Sequence, residues 1–252
     1  MPRVVAVVPA RDEAPRIAAV VRTLPSIVSV TIVVDDGSED DTAAVAIAAD
    51  PRVELVRHRA PLGVGAAIAA GYRRARALDA DCAVVLAGDG QMDPRDLPAL
   101  VAPILDASAD YAKGDRFSWP DGALAFPLDR LLGAVGLSAA TRLATGLSID
   151  DSQCGFTAIG RRALGAIDWT RTWPGYGYPN DLLIRCAALG LRVVEVPVRP
   201  IYAGAPSRLS LRHLPPIGRL LLAGALGRLV RGVRGVGGVR GVRALARRGP
   251  KH

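Results

Sequence analysis

Aromatic residues make up only 4% of this 252-residue chain, and it has three cysteines and three histidines. Cys82, Cys154 and Cys186 are widely spaced and odd in number. That pattern excludes a disulfide framework and points to a reducing, cytoplasmic setting. His58, His213 and His252 are scattered, which excludes a compact zinc site. Long apolar runs are missing too. The longest near the C-terminus, Leu220 to Leu226, is flanked by Arg219 and Arg228 and falls far short of the roughly 20 residues a spanning helix needs. A strand-like run begins at Val4 with no signal-peptide pattern before it. Acidic residues are absent from Ser207 to His252, where 11 are Arg or Lys. Removing those eleven charges from the net +8 leaves about −3 on the first 206 residues. The chain therefore reads as a mildly acidic body with a basic tail suited to an anionic membrane surface. Nucleic acid is disfavoured as a partner, because no aromatics interleave with the tail arginines.

Strand-like apolar runs alternate with helix-like segments through the first half. Strands are expected at Val4–Val8, Val30–Asp35, Val53–Arg57 and Cys82–Leu86, with helices at Ala14–Leu24, Asp40–Ala49 and Gly65–Leu78. Continuous apolar strands separated by amphipathic helices predict an α/β fold, a mostly parallel sheet covered on both faces. Later, Phe156–Gly160, Asp181–Leu189 and Leu191–Val198 read as strand, helix and strand, and a helix is expected near Leu128–Leu143. Ser38 is expected to cap the second helix and Asp93, followed by Pro94, another. The body is expected to span 1–211 and the tail 212–252. Residues 231–242 carry a glycine in every triplet, a composition that opposes a stable helix in water.

Three expected strands end in acidic and small residues: Pro9-Ala10-Arg11-Asp12-Glu13, Asp35-Asp36-Gly37-Ser38 and Ala87-Gly88-Asp89-Gly90-Gln91. Ligands of open α/β sheets bind beyond the carboxyl ends of the strands. Adjacent carboxylates such as Asp35 and Asp36 repel unless a donor-rich ligand or a metal uses them. A base edge or a ribose hydroxyl suits them. Asp89 and Gln91 offer hard oxygen ligands for a divalent cation against a diphosphate. Pro61 to Ala67, with Gly63 and Gly65, is a small-residue turn into a helix whose open amides can approach a diphosphate or a sugar. It has neither a dinucleotide fingerprint nor a P-loop lysine, which disfavours a nucleotidyltransferase.

Seven motifs in order resemble glycosyltransferase family 2, with the GT-A fold, in the dolichyl-phosphate mannose synthase type of branch. They are VVPARDE (7–13), VVDDGSEDDT (33–42), PLGVGAAIAAGY (61–72), AGDGQMDP (87–94), KGDRF (113–117), DSQCGFTAI (151–159) and PNDLLIR (179–185). The resemblance implies that Pro9, Arg11 and Glu13 line a nucleotide pocket and that Asp36, beside Asp35, contacts base or ribose. It also implies that Asp89 and Gln91 bind Mg²⁺ or Mn²⁺, that Arg116 meets phosphate or the acceptor region, and that Ser207 and Arg208 contact phosphate. Two positions depart from the family pattern. Ala87 stands where the metal motif carries its first aspartate, and Ala205-Pro206 replaces the acidic residue common before the Ser-basic pair.

A hydroxyl acceptor benefits from a general base, for which Asp181 is the main candidate beside Asp150 and Asp151. A phosphate acceptor is already ionised and needs none. The basic tail, with Leu220–Leu222 and Val230 beside its arginines, suits a polyprenyl phosphate at the inner face of the cell membrane. The expected function is inverting transfer of a hexose from a UDP- or GDP-sugar to that lipid. The alternative is a non-catalytic nucleotide-sugar-binding scaffold of the same fold.

Overall fold

The computed structural model describes residues 1–201 and 213–245, the stretch 231–245 as backbone. Seven strands form one sheet: β1 Val4–Ala10, β2 Val28–Asp35, β3 Val53–Arg57, β4 Cys82–Val85, β5 Tyr111–Asp115, β6 Thr157–Gly160 and β7 Val193–Pro197. Their order is β3-β2-β1-β4-β6-β5-β7. All neighbouring pairs are parallel except those made by β6, which runs antiparallel to both β4 and β5. Eight α-helices complete the described fold: α1 Ala14–Arg22, α2 Thr42–Ala49, α3 Val64–Ala77, α4 Leu97–Leu105, α5 Leu128–Thr145, α6 Arg161–Ala166, α7 Tyr178–Ala188 and α8 Leu214–Leu245.

The central strand β1 is buried along its whole length, as its unbroken apolar sequence requires of a strand covered on both faces. Its side chains alternate between cores. Val5 and Val7 meet Ile32, Val34 and the small residues of α3, whereas Val4 and Ala6 meet Leu97, Leu100 and Val101 of α4. Val8 and Ala10 pack with Ile17 and Val21 of α1 and with Ala46 of α2. Alanine and glycine on α3 let that helix lie close to the sheet. A Cβ at Gly71 would stand 2.2 Å from Val7 Cγ1.

This register lines up the carboxyl ends of the strands. Ala10 pairs with Asp35, and Val7 with Val85. Because β6 is reversed, its first residue, Thr157, pairs with both Val85 and Lys113. The segments after β1, β2, β4 and β5, and the segment before β6, therefore meet along one edge of the sheet.

Two expectations from the sequence are corrected. Ser38 does not cap α2. Its Oγ accepts the Asp12 amide at 3.0 Å, and the Thr42 amide goes to Asp40 at 3.0 Å instead. The local capping bond lost to a longer-range one that joins two strand ends. The glycine triplets of 231–242 are helical, as the distal part of α8. Adding residues to an existing helix avoids the cost of nucleation. The proximal part of α8 is anchored, with Ile217 and Leu221 buried against Leu137, Ala140 and Ala144 of α5. Leu221 thus faces the body, while Leu222 is 62% exposed.

The fit of α3 on β1 gives a test. Alanine ordinarily favours a helix over glycine by about 1 kcal/mol. Here Gly71→Ala is expected to lower stability by about 1–3 kcal/mol, because the added methyl must displace Val7. Chemical denaturation measures it, and a stabilised variant would refute the close approach.

Candidate active site

The ends of β1 and β2 are sewn together by their own polar residues. The Asp36 amide donates to the Ala10 carbonyl at 2.9 Å. Asp12, at a left-handed φ of 54°, donates its amide to Ser38 Oγ and accepts the Glu39 amide at 2.9 Å. The Glu13 amide donates to Thr42 Oγ1 at 2.8 Å, and the buried Glu13 carboxylate accepts Arg16 Nε at 2.6 Å. Pro9 is buried, and its carbonyl accepts the Gly88 amide at 3.1 Å, which ties β1 to the turn after β4. The Arg11 side chain is half exposed, with Nε 3.5 Å from Asp12 Oδ2.

Asp35 and Asp36 have different surroundings. Asp35 is fully buried, and its Oδ1 accepts the Ser38 amide at 2.8 Å. Its Oδ2 lies 3.0 Å from Arg57 Nε but off the N–H direction, so it accepts no hydrogen bond. The Asp36 carboxylate is saturated, by His58 Nδ1 at 2.7 Å, the Leu62 amide at 2.9 Å and the Gly63 amide at 2.8 Å. Burial pushes the Asp36 carboxyl up, but His58 and the two amides outweigh it and hold the group below the ordinary carboxylate range.

The turn at 61–67 corrects a further expectation, because several of its amides are already taken. Leu62 and Gly63 give theirs to Asp36, while Gly65 and Ala66 give theirs to the Pro174 carbonyl at 2.8 and 3.2 Å. The glycines allow close backbone approach. A Cβ at Gly63, whose φ is 103°, would stand 2.5 Å from Pro174 O, and one at Gly65 would stand 2.0 Å from Trp173 O. Asp181, in the first turn of α7, holds the same segment from the other side. Its Oδ2 accepts the Trp173 amide and Arg185 Nε, both at 2.8 Å.

After β4 the chain turns through Gly90, at a φ of 75°. Asp89 Oδ1 accepts the Gln91 amide at 3.0 Å, which leaves Oδ2 outside the turn bond; both residues are half-buried. Asp93 caps the following helical turn as expected, accepting the Arg95 amide at 2.9 Å. Arg95 and Arg199 also flank it, and its carboxyl is held well below the ordinary range, first by Arg95. The Ala87 position supplies no oxygen donor. Among the described residues, a cluster of three carboxylates lies elsewhere, at Asp115, Asp150 and Glu195. Those groups have structural work: Glu195 accepts the Asp150 and Asp151 amides, and Asp115 accepts the Phe117 amide and Ser118 Oγ.

Arg116 extends from the end of β5 and makes a two-pronged pair with Asp151, Nε to Oδ2 at 2.6 Å and Nη2 to Oδ1 at 2.9 Å. It also lies over the Phe126 ring, 5.1 Å from its centroid. Lys113 is fully buried beneath this pair and donates to the Cys154 carbonyl. Burial pushes Asp151 up, but Arg116 and then Lys113 bring it below the ordinary range; burial lowers Lys113. Lys113, His58 and Glu195 were missed as site builders in the sequence. A lone lysine inside the Tyr111–Gly114 run is the one signal that marked the first. Ser207 and Arg208 lie outside the described residues.

An acidic edge built from three strand ends, on a sheet of this order, defines a GT-A glycosyltransferase. A family model for glycosyl transferase family 2 matches residues 5–167, and the chain belongs to that family. It is a nucleotide-sugar glycosyltransferase of the dolichyl-phosphate mannose synthase-like branch. An undecaprenyl-phosphate mannosyltransferase of Micrococcus luteus is 32% identical over 203 residues, covering 78% of this chain and 82% of that one. A UDP-N-acetylglucosamine–dolichyl-phosphate N-acetylglucosaminyltransferase of Methanococcus voltae is 31% identical over 186 residues, covering 68% and 74%. Among solved structures, glucosyl-3-phosphoglycerate synthase of Mycobacterium tuberculosis, in complex with Mn²⁺, UDP and glucosyl-3-phosphoglycerate, is similar with a TM-score of 0.64 and 26% identity. The match covers 90% of this chain and 80% of that one.

Two tests follow from the buried charges. The folded Asp36 has a lowered pKa, so its stabilisation is complete above the unfolded value near 4 and is lost as pH falls through the lower folded value. Asp36→Asn should therefore melt lower than the wild type at neutral pH, with the gap closing below about pH 4. A gap independent of pH would contradict the charge argument. Asp151→Asn leaves Arg116 facing a neutral partner and Lys113 without its nearby anion. It is expected to cost roughly 3 kcal/mol by denaturant titration.

Proposed function

We propose that the chain transfers a hexose, with inversion, from a UDP- or GDP-sugar to a polyprenyl phosphate at a membrane surface. The donor reading rests on the edge formed by Pro9, Arg11, Glu13, Asp35 and Asp36, which in this proposal lines the nucleotide pocket. In this reading Arg11, whose side chain is half exposed, meets the ligand. Asp36 is assigned to shape the pocket through the Leu62–Gly63 backbone it holds, rather than to supply a free carboxylate. Gly63 and Gly65 act in the same way, by their close approach to Trp173 and Pro174.

The donor set at Asp89 and Gln91 fits a hard divalent cation, with one carboxylate oxygen beyond the turn bond and one neutral amide oxygen. Asp89 and Gln91 would hold the cation, with the substrate diphosphate and water supplying the further oxygens it needs. Bound there, Mg²⁺ or Mn²⁺ supplies electrostatic stabilisation of the departing nucleoside diphosphate. Arg116, fixed in direction by Asp151, is assigned to phosphate recognition. Ser207 and Arg208 are assigned to the acceptor phosphate on sequence grounds.

The observation that carries the acceptor class is Asp181. Its Oδ2 is shared between the Trp173 amide and Arg185, so that oxygen is committed to holding the fold rather than open to a substrate hydroxyl. Asp151 is likewise committed to Arg116. A hydroxyl acceptor would want a base, while a phosphate arrives ionised. In this reading Asp181 positions the 173–174 segment. The polyprenyl-phosphate substrates named for relatives support the same choice.

Among the described residues no helix is long and apolar enough to cross a membrane. Membrane contact is assigned to the surface of two packed helices. On α5, Leu128, Leu132, Val135 and Leu143 are 46–75% exposed, and on α8, Leu222, Leu226, Leu229 and Val230 are 52–66% exposed. The absence of acidic residues from 207 onward suits anionic lipid.

Nucleotide release should be measured for the purified chain with Mn²⁺ or Mg²⁺, a panel of UDP- and GDP-sugars, and polyprenyl phosphate. One donor is expected to give turnover that needs the lipid phosphate; equal turnover with a hydroxyl acceptor would overturn the acceptor class. Asp89→Asn should cut metal-dependent turnover at least 100-fold, on the order of an essential electrostatic contact, while the fold survives. Near-normal activity would remove Asp89 from the metal site. Leu132→Glu with Leu226→Glu should weaken sedimentation with phosphatidylglycerol vesicles, and unchanged binding would exclude this face.

A further inference from the structure

Tyr178 opens α7, and its ring sits among the elements that form the site. On one side it packs against the start of α3, where a Cβ on Gly65 would stand 2.8 Å from Tyr178 Cβ. At the other end its hydroxyl overhangs the turn before β6. A Cβ on Gly155 would stand 2.8 Å from Tyr178 Oη and 3.0 Å from Met92 Cε. Met92 belongs to the turn that carries Asp89 and Gln91. The phenol is therefore wedged between the 151–155 turn and the 89–92 turn.

The residue is 9% exposed, yet its hydroxyl makes no hydrogen bond among the described residues. A buried phenol ordinarily finds a partner. Tyr111, on β5, also lacks one by geometry, but its hydroxyl is sealed from solvent. The Tyr178 hydroxyl is not sealed in this way. Burial, and after it the neighbouring Cys154 and Asp89, push its pKa up, so the phenol keeps its proton and acts as a donor.

We propose that Tyr178 is a substrate-contacting residue, its hydroxyl donating a hydrogen bond to an oxygen of the sugar–diphosphate bound at Asp89. The proposal rests on the reading of Asp89 as the donor end of the site. The accepting oxygen belongs either to the diphosphate or to the transferred sugar, and one phenol O–H serves both chemistries. No other role is left for the hydroxyl: the ring alone fills the space against Gly65 and Met92, so packing would be met equally by phenylalanine.

Tyr178→Phe is therefore the informative variant, since it keeps the ring. Binding of UDP, GDP and the corresponding nucleotide sugars to the full chain is measured by calorimetry with Mn²⁺ present, together with kcat and KM and the melting temperature. The expected result is an unchanged melting temperature and a roughly tenfold loss in kcat/KM, the size of one hydrogen bond to a charged or strongly polar group. If the nucleoside diphosphate alone binds about tenfold more weakly, the partner is the diphosphate. If it binds normally while the nucleotide sugar binds more weakly or turns over more slowly, the partner is the sugar. Nucleotide-sugar binding and kcat/KM both within twofold of the wild type would overturn the proposal. A wild-type chain that binds no nucleotide would defeat the donor reading, and Tyr178 with it. Asp89→Asn with normal turnover, alongside an impaired Tyr178→Phe, would show that the hydroxyl acts away from Asp89 and would equally overturn the assignment.

Discussion

The Asp36 carboxylate cannot be buried at a strand end without donors, and meeting that need couples the two halves of the domain. One oxygen takes His58 and the Leu62 amide, and the other takes the Gly63 amide. The turn so held leads into α3, whose first amides go to the Pro174 carbonyl. Trp173, next to it, gives its amide to Asp181, which Arg185 holds in place on α7. A continuous chain of hydrogen bonds thus runs from the end of β2 to the first turn of α7. An unpaired buried carboxylate would cost several kcal/mol, so each link is strongly constrained by the one before it.

How much of this was legible follows from the range of the interactions. β-branched runs such as Val4–Val8 and Ile32–Val34 announce buried strands by themselves. Asp93 before Pro94 announces a cap, because the bond it makes spans two residues. The partners of Gly65 are another matter. Pro174 lies more than a hundred residues away, and no local pattern says that those amides are taken. Ser38 failed for the same reason, since Asp12 competed from 26 residues upstream and won. Strand β5 escaped because Lys113, Gly114 and Asp115 break its apolar pattern. Its lysine is tolerated only because the Cys154 carbonyl and the Asp151 anion, contributed by the turn before β6, meet it under the sheet. The described residues of the sequence motifs lie along one edge of the sheet, but the bonds that decide what each can do are fixed by tertiary contacts.

The distribution of charge separates recognition from support. On the donor side, Asp35, Asp36 and Glu13 are buried. Two of them are spent on holding neighbouring elements, and Asp35 keeps one buried oxygen without a hydrogen bond. On the acceptor side, Asp151 and Asp181 are each tied to an arginine. Oxygens so committed are not open to a substrate hydroxyl. The chemistry most compatible with such a site brings its nucleophile ready-ionised. A lipid-linked phosphate meets that condition, and in the proposed function the exposed leucines of α5 and α8 would give it a surface from which to arrive.

Ala87 sharpens the same argument at the metal. With no carboxylate there, the proposed metal site would place one formal negative charge, on Asp89, beside a cation and would leave the rest to the diphosphate. Affinity for a free metal falls with each missing anionic ligand, so in this proposal cation and nucleotide sugar would bind as a pair rather than in sequence. A site organised this way depends on neutral donors to hold the diphosphate oxygens that the metal does not reach. In the proposed assignments the Tyr178 hydroxyl is such a donor, while the Gln91 amide oxygen faces the cation. Both are uncharged, which keeps the charge balance of the bound complex in the hands of the substrate.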